Sequence, residues 1–235
     1  MPNETVKIEI WSDIVCPFCF VGKRKLEQAI KNQNAEDKVE IIWLSFQLDP
    51  DFPADKAYPS AQYLSERKGY PIDQVKAMSN QLAENGKGYG IDFQFDKALI
   101  FNTFNAHRLI QWSKTENKSD ALKEALMVAY FTDGTNLTKE ENLLAVAKSV
   151  GLSAEKAKSI LASEEYSEEV RMDIYQAQQL SIRGVPYFLI NEKTIISGAQ
   201  ADEVFENAIK AELSAAKPLI ETLGEGVCLP NGACK

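Results

Sequence analysis

"DIVCPFCF", residues Asp13 to Phe20, sets two cysteines three positions apart around a proline, directly behind a short apolar run. The residues before it alternate from Thr5 to Trp11: Val6, Ile8 and Ile10 fall on one face and Lys7, Glu9 and Trp11 on the other, the period-2 pattern of a strand. After it, "PFCFVGKRKLEQAIKNQ" is rich in helix formers and carries an apolar set at Phe20, Leu26 and Ile30. A helix is therefore expected to begin near Cys16, weakened only by Gly22. Val39 to Leu48 is apolar on both faces and reads as a second strand in a sheet covered on both sides. Strand, helix and strand in this span make a βαβ unit, with parallel strands and a right-handed crossover.

Working outward, Asp49 to about Ser60 holds three prolines and reads as a connection without regular ladders. Helical patterns then follow at Ile72 to Glu84, Phe101 to Lys114, Ser119 to Phe131, Lys139 to Val150 and Ser153 to Leu161, with a longer one from about Glu164 to Ser181. Strand signals return at Tyr187 to Ile190 and Thr194 to Ser197, joined by three residues as a hairpin, and Ala201 to Ala215 forms a last helix. The expected organisation is an α/β domain in two halves, residues 1–59 and 161–217, interrupted by a helical domain of residues 60–160 and followed by a Gly- and Pro-containing tail, residues 218–235.

With 235 residues and 45% hydrophobic content, the chain can build a sizeable core. A formal net charge of −8, from 34 acidic against 26 basic side chains, opposes attraction to phosphate backbones or anionic lipid, so neither nucleic acid nor membrane is expected as a partner. No run approaches the length of a membrane span, and "MPNETVKIEIW" lacks the charge and apolar stretch of a signal peptide. A cytoplasmic location is expected, where four cysteines would rest largely reduced.

With Cys16 at the helix start, Pro17 takes the first helical position, where a missing N–H costs nothing, and Cys19 lies one turn on. Unpaired N–H groups and the helix macrodipole stabilise a thiolate there by about 0.3 to 2 kcal/mol. Ionisation gained by lowering a thiol pKa is offset by falling nucleophilicity, so the gain lies in leaving-group quality and in a stabilised reduced pair. Two alternatives exist: half a zinc knuckle completed by Cys228 and Cys234, and a pair of inert buried thiols. The proline at a helix start inside a βαβ unit favours redox chemistry.

Taken together, "SDIVCPFCFVG" and the distant "RGVPYFLINEKTIISGAQ" resemble the thioredoxin-fold oxidoreductases of the DsbA superfamily, over essentially the whole chain. "NTFNAHRLIQW" at Asn102 to Trp112 and the terminal cysteine pair are most similar to its FrnE-like group. The resemblance implies a thioredoxin-like fold with an inserted α-helical domain. It implies Cys16 as nucleophile, Cys19 as resolving thiol, and a cis peptide at Val185-Pro186 facing them, with the Val185 backbone free to pair with substrate. DsbA itself carries a thiolate-stabilising histidine between its cysteines. Phe18 stands here instead, so strong oxidant power is not carried over, and the ring is an apolar contact for unfolded substrate or a packed lid. Pro17 and Phe18 join Val185 as expected substrate contacts.

Asp13 is read either as a proton relay to the resolving thiol or as a helix cap, and His107, the single histidine, either as a packed hydrogen-bonded residue or as a cleft residue. Lys23, Arg24 and Lys25 read as a solvated face, and "GKGYG" at Gly86 to Gly90 as a turn rather than a phosphate loop. Cys228 and Cys234 flank a turn-prone "LPNGA"; they are read as an auxiliary redox pair, a static clasp or free thiols. The expected function is thiol:disulfide exchange on a protein substrate, extending to isomerisation, with a low-molecular-weight thiol or a thioredoxin-type protein as electron partner and no cofactor or metal. A glutathione-dependent isomerase or transferase of the same superfamily and a non-catalytic chaperone or binding module are the competing readings.

Overall fold

The computed structural model describes residues 5–215. Its principal sheet has the order β2-β1-β5-β6, built from β1 (Val6–Ser12), β2 (Val39–Ser45), β5 (Tyr187–Ile190) and β6 (Thr194–Ser197). β1 runs parallel to β2, Val6 opposite Val39 through Ser12 opposite Ser45, and antiparallel to β5, with Ile8 opposite Ile190 and Trp11 opposite Tyr187. The βαβ expectation holds: α1 (Pro17–Asn32) makes the crossover between the parallel strands.

Alternation along β1 decides which helix covers which face. Val6, Ile8 and Ile10 share a core with Phe20, Leu26 and Ile30 of α1 and with Phe205 and Ile209 of α9 (Asp202–Ala215). Trp11 turns to the opposite face and packs with Leu44, Ile182 and Ala177 of α8 (Ser167–Gln179); its Nε1 donates to the Asp173 carbonyl at 3.1 Å. A strand buried on both sides in this way brings its end, and the cysteines after it, to the rim of a three-layered core.

Between β2 and α8 the chain forms β3 (Ala57–Pro59), α2 (Ser60–Lys68), α3 (Ile72–Lys87), β4 (Leu99–Phe101), α4 (Phe104–Thr115), α5 (Ser119–Phe131), α6 (Glu140–Ser149) and α7 (Ala154–Leu161). This is the helical insertion that the resemblance implies, with corrections at its edges. The proline-rich connection does carry a short ladder, β3 antiparallel to β4, with Ala57 opposite Phe101. Leu99–Phe101 is thereby extended, and α4 starts only at Phe104, whose N–H the Asn102 side chain accepts at 3.0 Å. β2 ends at Ser45 rather than Leu48 because Asp13 takes the Leu48 N–H at 2.8 Å. α8 starts at Ser167 because Tyr166 sits at a left-handed φ of 63°, which no helix continues through.

Two further contacts lock α1 to the insertion. Phe20 stacks on Phe131 of α5 at 6.1 Å between ring centroids, inside a cluster with Phe93 and Phe95. The Lys23–Lys25 run is a correction, because it is not a solvated face: the Lys23 side chain is 2% exposed and ion-pairs with Glu27, Asp120 and Glu124. Arg24 pairs with Glu124, and Lys25 with Asp202 at 3.0 Å. α5 and α9 flank this turn of α1, so cations that a helical wheel would send to water become ties between elements.

Candidate active site

Cys16 occupies the N-cap of α1 at φ −92° and ψ 109°, with Pro17 at the first helical position and no side chain capping the helix. The Cys16 N–H donates to the Asp13 carbonyl at 3.4 Å, and the Cys19 N–H to the Cys16 carbonyl at 3.0 Å, so the turn folds the two sulfurs together. Both are free thiols. The Cys16 Sγ donates to the Val185 carbonyl at 3.4 Å, and the Val185-Pro186 peptide is cis, as the resemblance implies. Gly22 explains itself here: a Cβ would lie 3.0 Å from both the Pro186 Cγ and the Phe188 Cζ. The residue read as a helix weakness is the one that lets α1 approach the proline opposite the sulfurs.

Neither sulfur lies open to solvent: Cys16 is 4% exposed and Cys19 1%, with the Cys16 Sγ directed at the Val185 carbonyl. Phe18, by contrast, is 50% exposed at the helix start, and Pro17 and Val185 are half-buried.

Beneath the pair lies a buried polar cluster. Asp13 does not cap α1. Its Oδ1 accepts from the Ile14 N–H at 2.7 Å and from His107 Nε2 at 3.3 Å, and its Oδ2 from the Leu48 N–H at 2.8 Å. Burial pushes the Asp13 carboxyl up, but the hydrogen bonds from His107 and the Leu48 N–H and the charge of Lys123 outweigh it and hold it below the usual carboxylate range. Burial also lowers His107, against the pull of Asp13, so the imidazole is neutral and its Nε2–H donates to the carboxylate. Lys123 reaches in from α5, fully buried, with its ammonium donating to the Ser12 carbonyl at 3.3 Å and lying 5.5 Å from the centre of the Trp43 ring. Desolvation brings it down to about 8.

The two thiols are not equivalent. The hydrogen bond with Cys19, then burial, raises Cys16 well above an ordinary thiol. For Cys19 burial acts in the same direction, but the S–H of Cys16, the charge of Lys123, the Ser12 hydroxyl and the Asp13 backbone together bring it below. The helix-start argument predicts the anion at Cys16. In the buried site the hydrogen bond between the two thiols acts upward on Cys16 and downward on Cys19, so the asymmetry belongs to the pair of sulfurs rather than to either one.

A family model described as the DSBA-like thioredoxin domain matches residues 7–210. The chain belongs to the DsbA-like thioredoxin family. It is 31% identical over 220 residues to the uncharacterized protein YwbO of Bacillus subtilis, covering 88% of this chain and 98% of that one. The crystal structure of a probable DsbA oxidoreductase from Streptomyces coelicolor is 32% identical, with a TM-score of 0.86 and 98% of each chain covered. A putative protein disulfide isomerase from Nitrosomonas europaea shares the fold at 16% identity and a TM-score of 0.69, over 90% of this chain and 99% of that one.

Within this DsbA-like frame, residues singled out from sequence gather at the start of α1: Cys16, Cys19 and Pro186 buried, Pro17 and Val185 half-buried, Phe18 exposed, with Asp13 and His107 in the interior. Cys228 and Cys234 lie outside the described residues, as does the zinc reading that depends on them. Ser12 and Lys123 went unread. Lys123 is 111 residues from Ser12 in the chain and sits in an ordinary amphipathic helix, where only the crossing of α5 under β1 reveals it. In the Asn102 to Trp112 stretch, Arg108 is architectural. Its guanidinium donates to the carbonyls of Glu165, Ile160 and Ser163, which closes the end of α7.

Proposed function

We propose that this DsbA-like chain is a thiol:disulfide oxidoreductase working through Cys16 and Cys19. The observation that carries the reading is the pairing of two free thiols at the start of α1 with the Cys16 Sγ held 3.4 Å from the Val185 carbonyl. A substrate strand laid along Val185 would pair with that backbone and bring its disulfide onto Cys16, while Phe18 and Pro17 supply apolar contact. In the reducing direction the Cys16 sulfur attacks one substrate sulfur, a Cys16–substrate disulfide forms and the other substrate thiolate leaves. Cys19 then attacks the Cys16 sulfur, releases the second substrate thiolate and leaves the Cys16–Cys19 disulfide; the oxidising direction is the reverse.

The substrate class is a protein carrying a disulfide or dithiol. A low-molecular-weight thiol or a thioredoxin-type protein regenerates the pair, and Cys228 with Cys234 serve as an auxiliary redox pair. The cytoplasm is the proposed compartment. Insulin reduction by wild type and by Cys16→Ser tests the reading: loss of turnover in the variant is expected, and equal rates reject it. Cys19→Ser should accumulate a substrate-linked Cys16, visible by mass spectrometry. Cys228→Ser with Cys234→Ser should slow multiple turnover while sparing the first.

A further inference from the structure

The exchange steps above engage the Val185 side of the pair and leave its other flank without a task. β1 lies between β2 and β5, so Cys16, which follows β1, sits between Val185, before β5, and the segment that leaves β2. On that flank a cleft of about 330 Å³ opens between Gln47 and Pro50 of the segment, Asn102, Phe104 and Asn105 at the start of α4, and Arg171 of α8. Hydrogen bonds tie it to the redox site. The Cys16 N–H donates to the Asp13 carbonyl at 3.4 Å, and Asp13 Oδ2 holds the N–H of Leu48, the neighbour of Gln47, at 2.8 Å. About three to five extended residues bridge such a span.

The partners of each amide in the cleft fix which way it points. The Phe104 N–H only donates, so the Asn102 oxygen faces it at 3.0 Å, while Asn102 Nδ2 donates to the Phe52 carbonyl at 2.7 Å. The same oxygen accepts from Gln47 Nε2 at 3.0 Å, which leaves Gln47 Oε1 an acceptor with no partner among the described residues. Arg108 also only donates, and its NH1 lies 3.0 Å from Asn105 Oδ1. Asn105 Nδ2 is therefore a donor with no partner among the described residues. Arg171 lies over Phe104, its guanidinium 5.5 Å from the ring centre, with Glu164 at 3.5 Å and Glu168 at 3.9 Å. Asp51 and Asp55 adjoin lining residues in the chain, so the surroundings disfavour an anionic ligand. One oriented donor beside one oriented acceptor is the complement of a neutral peptide group.

Resting on the oxidoreductase reading, we propose that this cleft is a second subsite for the main chain of a protein substrate. Asn105 Nδ2 donates to a peptide C=O and Gln47 Oε1 accepts a peptide N–H of an extended segment whose cysteine reacts at Cys16, and the Phe104 ring packs against that segment. Val185 and the cleft then hold the substrate on both sides of its disulfide. Because the cleft reads backbone groups, it selects for extended or unfolded protein and against small disulfides, without demanding a particular sequence. No covalent bond changes there.

The test runs single turnovers of reduced protein with peptide disulfides whose cysteine is extended on either side by one to six alanines. Bis(2-hydroxyethyl) disulfide, which has no peptide group, is the reference. The rate relative to this reference should rise by about 2- to 10-fold once the peptide reaches the cleft, the worth of one or two hydrogen bonds. That rise should be lost in Asn105→Asp and in Gln47→Met. Asn105→Asp keeps an oxygen for Arg108, suits the first turn of α4 and turns the free donor into an acceptor, so the fold is retained. A second measurement needs no variant: N-methylating the peptide amides one at a time should cancel the rise at one position remote from the cysteine, where the N–H is taken up by Gln47. A rise that survives both variants, or that no remote methylation cancels, overturns the proposal. If wild type leaves the reference disulfide unreduced, the oxidoreductase reading fails; if it reduces the reference and peptide length has no effect, only the cleft's role fails.

Discussion

Replacing His107, the chain's single histidine, isolates one proton in the pH dependence of stability. Burial holds the folded imidazole below its ordinary value of 6.5, although Asp13 at 3.3 Å pulls the other way. A histidine depressed in the folded state takes up its proton in the unfolded chain first. Stability is therefore intact above about pH 6.5 and falls as the pH drops toward the folded value. One proton limits the slope to about 1.4 kcal/mol per pH unit. From pH 7.5 to 5.5, wild type should thus lose roughly 1 kcal/mol more than His107→Gln, whose side-chain amide can still donate to Asp13. Urea unfolding across that range measures it, in a background of Cys16→Ser with Cys19→Ser so that neither thiol of the pair ionises. The range stops there because the Asp173 carboxyl, raised by burial, begins to take part at lower pH. Parallel profiles would refute the reasoning, since the imidazole would then titrate alike in both states. A reversed slope, with wild type gaining stability in acid, would mean that an imidazolium–carboxylate pair overcomes burial.

Gly22→Ala would gain about 1 kcal/mol on an open helix. Here its Cβ meets Pro186 and the fully buried Phe188 ring at 3.0 Å, so denaturant titration should show a net loss of about 1–3 kcal/mol; a gain would show that both rings yield. Arg108→Ala removes the donors to three carbonyls behind α7 and should cost about 3 kcal/mol or more, with Arg108→Lys recovering little because an ammonium cannot reproduce the fork. Phe18→Ser, at an exposed ring, should change stability by less than about 0.5 kcal/mol. Steady-state assays should find its KM raised for unfolded protein substrates, with turnover of a small disulfide unchanged.

What could be read from the sequence was what neighbouring residues decide among themselves. The alternation of β1, the proline at the first position of α1 and the hairpin after Pro186 are local patterns, and each appears where its residues place it. Element ends fared worse, because distant partners set them: Asp13 stops β2, Asn102 starts α4, and pairing with β3 extends residues that a helical pattern also fits. Lysines were the hardest to place. Lys23 and Lys123 look like surface charges on amphipathic helices, and both are buried because a second helix or a strand end closes over them.

That failure bears on how the site is charged. The Cys-x-x-Cys segment supplies sulfurs, a proline and a helix start, but Phe18 between the cysteines has no donor to offer a thiolate. The insertion supplies the buried groups nearby: Lys123 of α5 donates to the Ser12 carbonyl, and His107 of α4 donates to Asp13. The Asp13 carboxylate and the two sulfurs act on the Lys123 ammonium against its burial, and burial still brings it down to about 8. Changes in α4 or α5 that leave both cysteines untouched would therefore retune the pair, and the motif by itself does not fix its redox behaviour.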